Sequence, residues 1–560
     1  MEGNTHDMNA GKPGVDALVQ NFVLRASRHD EQLAEICRRA VAQEETGGVC
    51  LPLTVEEAER LKTSPLVSSA PDDKGLFILD GDRLYTRRNW TYEQTVKKRV
   101  AEMVAARLEN SELQIPLDGV FAGLKEHQRE AIQKMAAHRF TIMTGGPGTG
   151  KTYTIARAVK LIREQNPNLK LGLAAPTGKA AARVKEAMAK EAEALGLQDV
   201  PETSTLHKLL GANYDFVTFK HNRDNPLDLD WLIVDEASMV SLSMMAKLLD
   251  ALPWEEATED RPERKCRLTL VGDAFQLSSV EPGQVFGDLC RMTLVNDSGC
   301  KCELTESNRF RTGGEIDTLA RLIKAGDAAK VLDFLKRDGN TLVHYHSLKA
   351  LGGREDEHAP HSFDQLVETL FADFCRQDTA EGALAALNKC RILCAVRKGP
   401  YGCEMLNDRV QRRMRKKYPN CPVPWMVTKN DSALEVSNGD VGVVMPSRGQ
   451  AEMLSLPDGN EKRDIQLALL PEREKAFAST IHKAQGSEYE NVIIVLPPVG
   501  EQETAEHRLL ARELLYTALT RVKPEDAKTG EIVGGVHIFA NDKAIEECCR
   551  NETRRNTGLA

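Results

Sequence analysis

No uninterrupted apolar run in the 560 residues approaches the roughly 18 that a membrane span needs, so a bilayer is not an expected partner. The opening stretch, MEGNTHDMNAGKPG, lacks the basic and then apolar regions of a secretory signal, and a cytoplasmic protein is the expectation. There is no Cys-x-x-Cys and no histidine at zinc-finger spacing. The 13 cysteines, including Cys300, Cys302 and the adjacent Cys548 and Cys549, form no metal or disulfide pattern, which predicts reduced and mostly buried thiols. Repeats and low-complexity tracts are also missing. Nor is there an excess of positive charge. Lys and Arg number 74 against 83 Asp and Glu, a net of −9, so the whole chain makes no electrostatic case for nucleic acid. A groove, however, needs only local positive charge.

What is present is ordinary for a soluble globular chain: 41% hydrophobic and 28% charged residues, in a length that accommodates three to five domains. Residues 1–118 carry no chemical motif. Helical periodicity runs from Val15 to Val41 and from Tyr92 to Leu108, around a strand-like patch at 75–79, which predicts a small α+β domain. From 119 onward the texture changes. Seven short apolar runs, FTIMT (140–144), LGLAA (171–175), WLIV (231–234), RLTLV (267–271), RILCAV (391–396), NVIIVL (491–496) and GVHIFA (535–540), alternate with helical patterns. That alternation is the signature of parallel sheets covered on both faces, and seven strands predict two α/β domains. Residues 422–475, rich in Pro, Asn, Asp and Gly with short alternating runs, read as a small β insertion.

GGPGTGKT at 145–152 follows an apolar strand and opens a helical pattern, the context a phosphate-binding loop requires. Gly145, Gly146, Pro147, Gly148, Thr149 and Gly150 allow consecutive backbone N–H groups to face the phosphates at a helix N-terminus. Lys151 would reach the β- and γ-phosphates and Thr152 would hold Mg²⁺. LIVDEAS at 232–238 brings two carboxylates to the end of another strand. Asp235 suits the metal and Glu236 the attacking water, so hydrolysis rather than binding alone is expected. In LVGDAFQLSSVEPG (270–283), the Gln276 amide can sense the γ-phosphate.

In this order the residues resemble a superfamily 1 helicase, and more closely the RecD family. The resemblance rests further on AAPTGKAAAR (174–183), STLHKLLGA (204–212), LTESNRF (304–310), TKNDSALEVSNGDVG (428–442), STIHKAQGSEYE (479–490) and LLYTALTR (514–521). GGVCLPL (47–53) and GDRLYTRRNW (81–90) resemble the N-terminal domain of the RecBCD subunit, and 118 residues leave little room for the larger N-terminal region of stand-alone relatives. The resemblance implies two RecA-like P-loop domains, at 119–303 and at 304–421 with 476–560, an SH3-like β insertion at 422–475 and an N-terminal partner-docking domain at 1–118. It implies that Gln128 recognises adenine and that Arg309 and Arg521 reach the γ-phosphate across the interdomain cleft. Glu488 would link the nucleotide and DNA sites. Thr177, Lys179, Thr205, His207, Thr480, His482 and Lys483 would contact single-stranded DNA, although each taken alone is more readily a helix cap or a solvated side chain.

The resemblance also implies ATP and Mg²⁺ as nucleotide and metal, 5′-to-3′ polarity, DNA duplex ends as substrate and RecB and RecC as partner subunits. PDDK (71–74) looks superficially like a nuclease fragment, but without a following Glu-x-Lys the nuclease would belong to another subunit. The basic run at 412–417 is either a solvated helix face or a backbone contact. A stand-alone helicase, an interaction scaffold with a decayed ATPase and an RNA-unwinding motor stay open as alternatives.

Overall fold

The computed structural model describes residues 15–26, 29–69, 75–106, 108, 115–197, 201–213, 218–255, 264–307, 309–311, 313–351, 362–431, 433–446, 451–458, 461–470, 472–500, 509–525, 529–553 and 555–559. The PDDK segment lies outside them.

Two parallel sheets dominate. The first has six strands in the order Lys301–Leu304, Phe140–Gly145, Arg267–Gly272, Trp231–Val234, Leu171–Ala175, Thr203–Thr205. Every neighbouring pair is parallel. The second has five, in the order Val343–Ser347, Val536–Ala540, Asn491–Val495, Cys390–Cys394, Ala478–Thr480, again all parallel. All seven apolar runs are strands of these sheets. The phosphate-loop strand and Trp231–Val234 are buried at every position, as a central strand covered on both faces must be. Helices Lys151–Gln165 and Gly178–Leu195 pack over the first sheet.

Four strands of the two sheets, Thr203–Thr205, Lys301–Leu304, Val343–Ser347 and Ala478–Thr480, escape an apolar-run criterion. They are the outer strands of their sheets, and their short, partly polar sequences show why. Strands between Val423 and Lys475 form a separate five-stranded antiparallel sheet.

At the N-terminal end, the periodic stretch from Val15 to Val41 divides into helices Val15–Ala26 and Glu31–Glu45, because the Asp30 carboxylate caps the second by accepting from Leu33 N–H at 3.0 Å. The helix expected from Tyr92 begins earlier, at Arg87. It shares one hydrophobic core with the first sheet, joining Val96, Val100 and Met103 to Phe140, Leu232 and Leu248. The cysteines call for a correction. Cys375 and Cys421 are bonded, 46 residues apart, where no disulfide was expected; the other eleven are free and buried, as expected.

Trp231 is fully buried, and its indole N–H donates to the Thr269 hydroxyl on the adjacent strand at 3.0 Å. Trp231→Phe removes that donor and part of the packing. The expected cost is about 1–3 kcal/mol, read as a lower thermal midpoint by circular dichroism; an unchanged midpoint would show that the pair contributes nothing.

Candidate nucleotide and DNA site

The phosphate-loop strand ends at Gly145, and the helix after it starts at Lys151. Between them Gly148 and Gly150 take φ values of +77° and +84°, a region an L side chain enters only with strain. Space is also restricted: a Cβ on Gly148 would lie 2.3 Å from Arg309 Cβ, and one on Gly150 would lie 2.7 Å from the Gln128 amide nitrogen. Lys151 turns back over the loop, its ammonium donating to the Gly145 and Gly146 carbonyls at 2.8 and 3.2 Å. Thr149 is braced the same way, its hydroxyl donating to Gly146 at 2.8 Å. Gln128 sits beneath the loop, accepting from Lys125 N–H at 3.1 Å and donating to the Thr149 carbonyl at 3.3 Å.

Asp235 and Glu236 follow the Trp231–Val234 strand. Burial, and then the neighbouring Glu236, push the Asp235 carboxyl up to about 6 against the pull of Lys151. A cation at this strand end would favour its ionised form, so the donor set of Asp235 and Thr152 fits a hard dication. Glu236 itself adopts φ +53°, a left-handed conformation that turns the chain sharply into the 3₁₀ turn Ala237–Met239.

The opposite wall comes from the second sheet. Arg521, 3% exposed, follows helix Arg512–Leu519 and is fixed by donating to the Thr517 carbonyl at 3.1 Å and the Ser487 carbonyl at 3.4 Å. Arg309 forms an ion pair with Glu488 and donates to the Thr520 carbonyl at 3.3 Å. Arg183, on helix Gly178–Leu195, stands 3.6 Å from the same Glu488 oxygen. Burial pushes the Glu488 carboxyl up, but Arg309, Arg183 and Arg521 together hold it below its ordinary range. Burial also lowers both Arg309 and Arg521, the expected strain on two guanidiniums enclosed together.

These groups converge on one cavity of about 540 Å³, which Lys151, Thr152, Asp235, Glu236, Gln276, Arg309, Glu488 and Arg521 all line. Sequence reasoning missed Arg183, Glu186, Lys190 and Lys523, which line it too. A signal existed for three of them: Lys179, Arg183, Glu186 and Lys190 recur at spacings of three or four on one helix face.

The residues expected at DNA are more dispersed. Thr177 and Thr205 are helix N-caps, their hydroxyls accepting from Ala180 and Lys208 N–H at 3.2 Å each. Thr480 closes the strand Ala478–Thr480, with His482 and Lys483 in the turn after it. Lys483 is ion-paired with Glu474 at 2.7 Å. His207 lies against Phe219 with the rings tilted at 46° and their centroids 5.9 Å apart, and burial lowers its basicity. Lys179 lines a second cavity of about 770 Å³ with Arg391, Asp440 and Tyr489, and burial pulls its ammonium below the ordinary range. Arg413 and Lys417 of the basic run are spent on Glu368.

Comparison with known proteins places the sequence in a lineage. Residues 128–282 match the AAA domain family and residues 475–524 the UvrD-like helicase C-terminal domain. The RecBCD enzyme subunit RecD of Mycolicibacterium smegmatis is 37% identical over 527 residues, 89% of this chain and 85% of that one. The Haemophilus influenzae subunit of the same name is 31% identical over 548 residues, 85% of this chain and 79% of that one. The ATP-dependent RecD2 DNA helicase of Deinococcus radiodurans is 30% identical over 416 residues, 72% of this chain and 48% of that one. A solved Pif1 helicase from Bacteroides, in complex with ADP-AlF3 and ssDNA, aligns with 75% of this chain and 92% of its own at 18% identity and a TM-score of 0.39. With the sequence relatives matching across nearly its whole length, the chain belongs to the RecD family of ATP-dependent DNA helicases.

Proposed function

We propose that the chain is a 5′-to-3′ DNA translocase and the RecD-type motor subunit of a RecBCD helicase-nuclease, acting on DNA duplex ends in recombinational repair of double-strand breaks. The observation that carries the motor part of this reading is the cleft in which the phosphate loop, Asp235 and Glu236 face Arg521 from the second sheet, with Arg309 between the two. Its place in a larger assembly is supported by the relatives. The subunits named RecD are covered over 79% and 85% of their length, whereas the RecD2 helicase is covered over 48%.

In this reading two motor domains, 119–303 and 304–421 with 476–560, close on ATP, with 422–475 as an insertion and 1–118 as the docking domain. Lys151 and the loop N–H groups hold the β- and γ-phosphates. Thr152 and Asp235 would hold Mg²⁺, which supplies charge neutralisation at the phosphate oxygens when bound. Glu236 orients the attacking water and accepts its proton, and Gln276 senses the γ-phosphate. Gln128 would read the adenine edge only by giving up its bonds to Lys125 and Thr149. Arg309 and Arg521 neutralise the charge that spreads over the γ-phosphoryl oxygens. Arg309 cannot serve the phosphate without weakening its pair with Glu488, so closure and nucleotide state are linked at that exchange. Thr177, Lys179, Thr205, His207, Thr480, His482 and Lys483 hold the single strand by its backbone, without reading bases.

Lys151→Gln is expected to lower single-stranded-DNA-stimulated ATP hydrolysis at least about a hundredfold while leaving the chain folded; retained turnover would overturn the mechanism. Gly148→Ala is expected to weaken nucleotide binding about tenfold or more, measured by titration with a fluorescent nucleotide, because the added methyl displaces Arg309 and strains the loop. Strand displacement on tailed duplexes, with co-expressed RecB and RecC, tests polarity: activity confined to the 3′-tailed substrate would reverse the assignment.

A further inference from the structure

Gln276 lies on the loop 273–283, which belongs to the first sheet yet is gripped from outside it along its length. The Asp273 carboxylate accepts from the Tyr516 hydroxyl at 3.0 Å. Leu277 N–H donates to the Thr517 hydroxyl at 3.0 Å, and its carbonyl accepts from the Gln485 amide at 2.7 Å. The end of the loop is tied to its own layer by Leu242 N–H, which donates to the Pro282 carbonyl at 3.1 Å. It is tied to the N-terminal region by Gly283 N–H, which donates to the Gly47 carbonyl at 2.9 Å. One further side chain reaches three of the loop's carbonyls. Arg555 donates to the carbonyls of Glu281 at 2.7 Å, Gly283 at 2.9 Å and Ser279.

Arg555 lies in a C-terminal segment, of which residues 551–553 and 555–559 are described, that follows helix Asp542–Arg550 of the second sheet's layer. The start of the segment is clamped to that layer. The Asn551 carbonyl accepts from Arg512 N–H at 2.9 Å, and Thr553 donates to Glu513 through its N–H and its hydroxyl, both at 2.9 Å. Its far end is fixed to the N-terminal region. The Asn556 carbonyl accepts from Val49 N–H at 2.8 Å, Gly558 N–H donates to Glu93 at 2.9 Å, and Leu559 is buried in the core shared by Val96 and the first sheet. Arg555 packs against Gly47, where a Cβ would come within 2.6 Å of the guanidinium carbon. On another side, burial and then the Arg555 charge lower the basicity of His482.

Burial pushes the Arg555 guanidinium down to about 10, and three carbonyls of one loop hold it in place. What it alone supplies is a planar fork able to hold three carbonyls of one loop at once, which an ammonium on a flexible stem cannot reproduce. We propose that Arg555 is a positioning residue for ATP turnover: it fixes loop 273–283, and through it Gln276, to that C-terminal segment, so that the two move as one piece when the cleft closes. This rests on the motor reading above.

The test compares Arg555→Ala, Arg555→Lys and Thr557→Ala in the full chain. Amide hydrogen exchange over 270–283 is read without nucleotide or DNA, and ATPase kinetics with saturating oligo(dT). Arg555→Ala is expected to speed exchange in the loop about tenfold and to lower kcat about five- to tenfold with KM for ATP within about twofold. Arg555→Lys should fall between it and the unaltered chain, and remains informative if Arg555→Ala folds poorly. Thr557→Ala, which removes the hydroxyl that donates to Glu93 at 3.2 Å and accepts from Leu559 N–H at 3.1 Å at the segment's far end, should turn over normally. Unchanged loop exchange in Arg555→Ala, or a kcat loss that follows the loss of folded protein, overturns the proposal. An unaltered chain without DNA-stimulated turnover would count against the motor reading alone, because the exchange experiment needs neither ligand.

Discussion

The charge balance of the cleft turns on Glu488. Its carboxylate pairs with Arg309, stands 3.6 Å from Arg183 and, after Glu236, supports the charge on Arg521, so three guanidiniums crowd one acid at the seam between two sheets. Enclosing guanidiniums without a counter-charge costs several kcal/mol each, and a single carboxylate cannot satisfy three of them fully. The wall is therefore left attractive to a polyanion by design of its spacing rather than by any surplus in the chain. The lining of the cavity shows the same bias: Lys151, Arg183, Lys190, Arg309, Arg521 and Lys523 face Glu186, Asp235, Glu236 and Glu488, six cations against four acids. The net charge of −9 describes the whole surface, and the field that matters is set within a few ångströms.

The same balance explains why the two sheets cannot behave independently. Arg309 follows the outermost strand of the first sheet and touches Gly148 of the phosphate loop, yet its charge is satisfied by Glu488, next to the strand layer of the second. Any event that draws the Arg309 guanidinium toward phosphate releases Glu488, and Arg183 remains as its nearest substitute. A two-position exchange of this kind converts the presence of one phosphoryl group into a change in how the layers are held together, with a free energy set by the difference between the two pairings.

Much of the fold was legible because it is locally encoded. A central parallel strand must be apolar on both faces, so FTIMT, WLIV and NVIIVL declared themselves. An outer strand has no such requirement: Thr203–Thr205 and Val343–Ser347 carry no apolar run in sequence and are strands through the neighbour each pairs with. The phosphate loop was equally readable, since its glycines, lysine and threonine act within eight residues. Partners brought together by tertiary packing were not. The Cys375–Cys421 bond spans 46 residues, and Arg555 meets Ser279 across 276. The hydroxyls of Thr177 and Thr205 illustrate the opposite hazard. Motif order marks them for DNA, while the structure shows each already accepting a helix N–H, so a strand there would meet backbone groups or have to share the cap.

Loop 273–283 gathers these threads. A γ-phosphate sensor is useful only if its displacement is felt elsewhere, and a loop free in solvent would dissipate it. Here the residues flanking Gln276 are tied to Tyr516, Thr517 and Gln485, which lie within a few residues of Arg521 and Glu488 in sequence. Gln276 and the arginines of the cleft are thus mounted on one framework. A shift at Gln276 of the order of a hydrogen-bond length has to be taken up by that framework or break several bonds worth about 1 kcal/mol each. Tight packing makes the first outcome the less costly one, because a close-packed interior resists local deformation and transmits it as a displacement of whole elements. Coupling between the cleft and the turn Ile481–Gln485, where His482 and Lys483 lie, then needs no long relay, for Gln485 ends that turn and holds Leu277 directly.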